Sequence, residues 1–339
     1  KKAQAAEVIT SKGYATDVSY EDDKLKKVNV AQTTALKVRV IANGKLGSAS
    51  TTAPEEYEAV VEKALALAEF GSEVEFEFPG ANRTKQVQIY DSAVEKISKD
   101  ELVEIGGQML AKVKDYDAEI KVHSGASWAV GERRLVNSSG LDIFDKGSHY
   151  SAGVWGTLVR GTDMLMAGDG QSWRSKNLDP GDIANRTVDR FRWAEKIVPV
   201  SSKKMPVILS PRGGDVLLVA LEMGVNGKNV LKGDSPLADR LGEEIAVKEF
   251  SLIDDGTIDF APHSSSHDGE GVPRRRMSVV ENGVLRNFLY DLETASKAAA
   301  ESTAHGPGCG PSNVIITPGE TSLEAMIKSI DEGIIVEHV

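Results

Sequence analysis

The chain has 339 residues, 40% of them hydrophobic, and a formal net charge of -11, so it is long enough for about two or three domains, each with its own core. That charge repels phosphate backbones and anionic lipid, which argues against nucleic acid as a direct partner and against binding to a membrane surface. No run reaches the roughly eighteen apolar residues of a membrane helix, the opening KKAQAAEVITSKGY lacks the apolar block of a signal peptide, and the single cysteine, Cys309, excludes an internal disulfide or a multi-thiolate zinc site. The expectation is a cytoplasmic protein.

In chain order, residues 14–52 alternate as strands, with Asn43-Gly44 as a tight turn between them. Pro54 opens a helix that Gly71 closes, and a second helix is expected from Lys99 to Lys114. Residues 121–159 read as long β segments divided by G, NSSG and DKG turns, and MAGDGQS at 166–172 reads as a Gly-rich loop. A further helix lies within 179–197. PVSSKKMP at 199–206 breaks the pattern, which places a domain boundary there: residues 1–200 form an N-terminal domain with subregions of about 1–75 and 85–200, and 205–339 a C-terminal one.

Beyond it, PVILSPRGGDVLLVALEMGVNG reads as strand, turn and an apolar helix bearing Val216, Leu217, Leu218, Val219, Leu221 and Met223, expected to be core. EEIAVKEFSLIDDG, RRRMSVVENGVLRNFLYDLETA and SNVIITPGE read as strands, and SLEAMIKSI as a helix. The fold class is α+β: antiparallel sheets with helices first, then a β-rich domain around one apolar helix.

Residues 263–276, HSSSHDGEGVPRRR, hold His263 and His267 four apart, followed by Asp268 and Glu270. On a helix that spacing would put both imidazoles on one face, as a metal site needs, but three serines, two glycines and a proline favour a turn. Arg274, Arg275 and Arg276 are expected to begin a strand as solvated edge charges, with pairing of Arg274 and Arg276 to the acidic loop at 268–270 or to a peptide carboxylate as the alternative. Glu222 is the single carboxylate inside the apolar helix and is expected to reach solvent at its end. His123, His149, His305 and His338 are expected to be structural or exposed.

The chain resembles the TldD/PmbA family through D-x-E-G-V-P at 268–273, the NGVL turn at 282–285, SN-x-x-x-x-PG at 312–319 and KGDSPLADRLGEEIA at 232–246. The likeness reaches back through GKLGSASTT and ALALAEFG near the start. It implies a cytoplasmic, zinc-metallopeptidase-related protein acting on peptides, of a family also labelled modulators of DNA gyrase. In the TldD branch the apolar helix carries an H-E-x-x-x-H zinc motif. Here the two histidine positions fall on Leu218 and Met223 and the glutamate on Val219, and none of the three supplies zinc's usual donors or a base. The family's cysteine ligand comes from a later segment than IIVEHV, where this sequence stops. That role is not carried to Cys309, expected to be an incidental loop thiol, and the chain is expected to lack the family's last segment and a short N-terminal piece. The resemblance therefore implies the PmbA or TldE branch: no cofactor in this chain, zinc in a TldD-like partner, and pairing with that partner or with a second copy. The alternatives are a self-sufficient metallopeptidase using His263, His267 and a nearby carboxylate, or a non-enzymatic interaction protein.

Overall fold

Side chains that alternate between two faces favour extended backbone, and the first half of the chain is built on that period. The structure, a computed structural model, describes residues 3–82 and 84–337. β1 (Ala5–Glu21), β2 (Lys24–Ala42), β3 (Lys45–Thr51), β4 (Lys121–Asn137), β5 (Asp142–Arg160) and β6 (Asp163–Trp173) form one antiparallel sheet in the order β3-β2-β1-β4-β5-β6. Asn43 and Gly44 join β2 to β3 with φ of 51° and 72°, the left-handed pair that a tight hairpin turn requires. The sheet starts earlier than the alternation from residue 14 predicts. The reason is Glu7, an inward-facing charge that is buried and paired with Arg39 at 2.9 Å, and so hides the apolar period from the sequence.

The expected loop at 166–172 is strand instead, part of β6. Gly168 stands opposite Trp155 of β5, and a Cβ on it would fall 2.1 Å from the indole. These glycines make room for an aromatic neighbour, which sequence alone cannot distinguish from a turn.

A 3-10 turn at Pro54–Glu56 leads into α1 (Tyr57–Ala68), which lays Val60, Ala64 and Ala68 on Leu36, Val38 and Val40. After the short α2 (Ser92–Glu95), α3 (Lys99–Tyr116) is capped by Ser98, and α4 (Pro180–Trp193) by Asp179. Leu102, Met109 and Val113 of α3 and Ile183, Val188 and Phe191 of α4 share one core with Val122, Val154 and Leu158. Each such side chain contributes roughly 1.5–3 kcal/mol on burial.

The later elements are shorter. They are β7 (Val207–Leu209), α5 (Asp215–Val225), α6 (Gly227–Lys232), β8 (Leu252–Asp255), β9 (Arg276–Glu281), β10 (Val284–Leu285), α7 (Leu292–Lys297), β11 (Val314–Ile316), α8 (Leu323–Lys328) and β12 (Ile334–Val336). β10-β9-β8-β11 make one sheet, and β12 pairs in parallel with β7. Its core holds Val225, Leu252, Val280, Leu285, Leu289 and Cys309.

The chain divides into two compact units. The first runs to Val74 and includes Val87–Val198 and Ile258–Ser264; the second takes Glu75–Gln86, Pro199–Thr257 and the chain from Ser265 onward. Among the described residues no helix is long and apolar enough to cross a membrane.

Candidate functional site

α5 is the most apolar helix, yet it is not the core element that its composition suggests. Leu218 and Leu221 pack on the core of the second unit, and Val225 is buried. Val216, Leu217, Val219 and Met223 are 45%, 63%, 54% and 62% exposed. The stripe 218, 221, 222, 225 follows helical spacing, so an almost uniformly apolar helix still buries one side only. Glu222 belongs to that inward stripe and is partly buried rather than solvated at a helix end. Burial, then the charges of Asp215 and Asp254, push its carboxyl above the usual range. α5 therefore offers hydrocarbon, one thioether and two carboxylates. Of these only the two carboxylates are zinc donors, and with no histidine or cysteine on the helix it carries fewer than the three protein ligands of a catalytic zinc.

Below α5 a polar loop, residues 303–313, is held by three carboxylates from three separate segments. Asp254, at the end of β8, accepts from the Ser312 N–H at 2.6 Å, the Ser312 hydroxyl at 2.5 Å and His305 Nε2 at 2.9 Å. Asp268 accepts from the Gly306 N–H at 2.8 Å and from the N–H groups of Glu270 and Val272, each at 2.9 Å. Asp291, the N-cap of α7, accepts from the Gly308 N–H at 3.0 Å and the Thr294 N–H at 2.9 Å. From the other side the Asn226 side-chain amide donates to the carbonyls of Gly308 and Cys309 at 3.1 and 3.0 Å. Glycine is required at 306, where a Cβ would lie 2.2 Å from Glu270 Oε2.

The electrostatics differ among the three. Burial pushes the Asp254 carboxyl up, but hydrogen bonds from His305 and Ser312 outweigh it and hold it below the usual range. Burial likewise acts on Asp291, and the Thr294 and Gly308 hydrogen bonds bring it down. At Asp268 burial wins over the backbone donors and the nearby Arg274, so its carboxyl is raised. Arg274 is partly buried, donating to Ser265 Oγ at 3.2 Å and to the Ala304 carbonyl at 3.1 Å; burial lowers its pKa, while Asp268 and Asp254 favour its charge.

His305 Nδ1 lies 2.9 Å from Thr303 Oγ1, so Thr303, His305 and Asp254 stand in the row used by nucleophilic triads. Thr303 is buried, and its oxygen already accepts from the Tyr290 N–H at 2.6 Å. The row positions a loop. With Asp254 ionised, His305 Nε2 is the donor.

Other sequence-predicted residues fall as follows. Residues 263–276 form turns with no helix, as their composition favours, and His263 and His267 belong to different units. His267 is buried, with Nε2 2.8 Å from Asn82 Oδ1 and Nδ1 2.9 Å from Ser266 Oγ. His263 is exposed, His123 is exposed and 3.8 Å from Asp22, and His338 lies outside the described residues. Among the described residues no group of three or more His, Cys, Asp or Glu is arranged to hold a metal. Two expectations need correction. Arg274 precedes β9 and is tied into the interior rather than solvated, because its guanidinium bridges the 265 and 304 loops. Cys309 is not an incidental loop thiol: it is fully buried, its Sγ 3.2 Å from Thr294 Oγ1, and burial pushes its thiol up. Sequence reading missed Asp254 and Asp291, whose only signal is an acid placed at the end of one strand and before one helix.

Three stretches match domains of one family: PmbA/TldA metallopeptidase domain 1 over residues 6–68, its central domain over 93–195 and its C-terminal domain over 202–339. An uncharacterised Methanocaldococcus jannaschii protein is 28% identical over 352 residues, covering 100% of this chain and 81% of its own. The Escherichia coli O157:H7 metalloprotease PmbA is 25% identical over 361 residues, with 100% of this chain and 77% of its own covered. The crystal structure of TldE from Thermococcus kodakarensis superposes with a TM-score of 0.89 at 25% identity, covering 99% of this chain and 80% of that one. Fold and likeness together define an α+β, metallopeptidase-related protein. The chain belongs to the PmbA/TldD family.

Proposed function

We propose that this chain is a PmbA/TldE-branch subunit of a TldD/TldE-type zinc metallopeptidase system, and that a TldD-like partner supplies the zinc. One observation carries the reading: α5, where the family resemblance puts the metal motif, holds Leu218, Val219 and Met223, with Val219 and Met223 turned outward. Neither hydrocarbon nor an exposed thioether replaces imidazole at a structural or catalytic zinc. The subunit works in the cytoplasm as a dimer, with its partner or a second copy, and helps enclose an unfolded or flexible peptide. An extended peptide pairing with a sheet edge is recognised mainly through its backbone, which keeps binding tolerant of sequence. The net charge of -11 argues against contact with nucleic acid.

The test is recovery of the tagged chain from its native host, with metal analysis and a peptidase assay on the isolated chain. Co-recovery of a chain bearing H-E-x-x-x-H, and no stoichiometric zinc in this one, is the expected result. Peptidase activity of the isolated chain with zinc that disappears in His263→Ala/His267→Ala would show a self-sufficient enzyme and overturn the reading. Recovery of no such partner in repeated preparations would favour an interaction protein.

A further inference from the structure

Helix α3 carries two stripes. Leu102, Met109 and Val113 pack into the core of the first unit, while Gln108, Lys112 and Asp115, at steps of four and three, face a groove shared with α4. On α4 that groove takes Gly181, Asn185, Val188 and Arg192, again at helical spacing. Residue numbers rise together along the two walls, so the helices lie side by side and parallel. The larger hollow, about 460 Å³, lies toward Asp115 and Arg192, and a smaller one, about 190 Å³, toward Gln108 and Gly181. Lys112 and Asn185 line both.

Part of the wall is already satisfied. Arg192 Nη1 donates to Asp189 Oδ1 at 2.5 Å, its guanidinium lies 5.7 Å from the centroid of the Tyr116 ring, and the Tyr116 hydroxyl donates to Glu195. The Gln108 side-chain amide donates to Glu104 at 2.9 Å. Three groups are left over: among the described residues, the Lys112, Asp115 and Asn185 side chains make no hydrogen bond or ion pair within the chain. Lys112 and Asp115 stand three apart on one helix, but with the lysine first, the order that helix geometry favours less. The larger hollow therefore presents one ammonium, one carboxylate and one amide beside the buried Val188. A simple anion there would meet Asp115, and a metal cation would meet Lys112. A molecule bearing both charges finds a partner for each.

We propose that the groove between α3 and α4 binds a small zwitterion, a free α-amino acid or a short unblocked peptide. Its carboxylate accepts from Lys112 Nζ and the Asn185 amide, and its ammonium donates to Asp115. The volume of the larger hollow falls within the range of small-molecule sites. All three side chains are exposed, so water screens each pair, and the expected affinity is about millimolar. The assignment rests on this groove alone and does not depend on the peptidase reading above.

The experiment titrates the purified full chain with four probes and follows amide shifts by NMR: leucine, the dipeptide of two leucines, N-acetyl-leucine, which keeps only the carboxylate, and leucine amide, which keeps only the ammonium. At least one of the two zwitterions is expected to bind about fivefold tighter than either blocked form, with shifts centred on Lys112 and Asn185, and which one does so identifies the ligand. Lys112→Gln should weaken that zwitterion about fivefold and leave leucine amide unchanged; Asp115→Asn should weaken it as much and leave N-acetyl-leucine unchanged. Thermal unfolding checks that the variants fold, as exposed helix positions allow. If either does not, Asn185→Asp decides, since it sets a carboxylate against that of the ligand and should cause a similar loss. Equal affinity for all four probes, no saturation by either zwitterion up to about 20 mM, or unchanged zwitterion affinity in a folded variant overturns the proposal. A surface that merely attracts charge would give the first of these results.

Discussion

Helix α5 and the 303–313 loop invert the usual relation between composition and burial. The helix is almost entirely apolar, and four of its large side chains face outward; the loop is rich in Gly, Pro, Ser and Thr, yet Ala304, His305, Cys309 and Ser312 are all buried. The loop can be interior because each buried polar group has found a partner: Asp268, Asp291 and Asp254 take its backbone N–H groups, and Asn226 takes its carbonyls. The helix can be exterior because its own backbone hydrogen bonds are internal, and one packed stripe is enough to seat it. Burial in this unit thus follows polar satisfaction at least as closely as hydrophobicity.

The strongest way to break that comparison is Asp254→Ala, which leaves the buried donors of His305 and Ser312 without their acceptor. Urea denaturation should show a loss of about 3–5 kcal/mol, and a loss under about 1 kcal/mol would mean that the loop is not held by this carboxylate. Asp254→Asn keeps the shape and should cost about 1–3 kcal/mol at neutral pH. The pH dependence has a definite sign. Asp254 is depressed in the folded state, so its ionised form stabilises the protein above the ordinary value of 3.8, and that contribution fades as pH falls through the lower folded value. The gap between the unmodified chain and Asp254→Asn should therefore close below that pH, and a constant gap would show that charge is not the cause.

Asp268 gives a sharper contrast. Its carboxyl is raised by burial, so ionisation costs folded stability as pH climbs, opposite in sense to Asp254. Asp268→Asn should consequently be the milder change at neutral pH, as compared by the same denaturation curves; a larger loss than Asp254→Asn would reverse the ranking. The smallest effect belongs to the helix. Leu217→Ser and Met223→Ser should each shift the unfolding free energy of the isolated chain by about 0.5 kcal/mol or less, whereas the partly buried Leu218→Ser should cost visibly more. If Leu217→Ser were as costly as a core change, α5 would be covered within the chain, and the contrast would fail.

The legible features were local ones. Both Asn-Gly hairpin turns, at 43–44 and 282–283, the proline at 54 that leads into α1 and the helix starting at Lys99 each need only a few neighbouring residues to specify them. The early start of β1 was hidden by Glu7, whose partner Arg39 stands on the next strand, and the strand at 166–172 by glycines that serve Trp155. The site was less legible still. Asp254 meets Ser312 from 58 positions away, and Asp268 meets Gly306 from 38, so no window of sequence contains both ends of a clamp. Arg274 read as an edge charge for the same reason: its acceptor at Ala304 is far along the chain.

By itself the sequence determined the α+β class, the order of the longer elements, the family through its Gly- and Pro-containing motifs, and the absence of any histidine from α5, because period, capping and residue identity are local properties. Only the tertiary structure decided which side of α5 is covered, which carboxylates close over the 303–313 loop, and that His263 and His267, four residues apart, belong to different compact units. Those outcomes depend on side chains brought together from distant positions, where desolvation and hydrogen-bond partners set the energy and spacing along the chain carries no information about either.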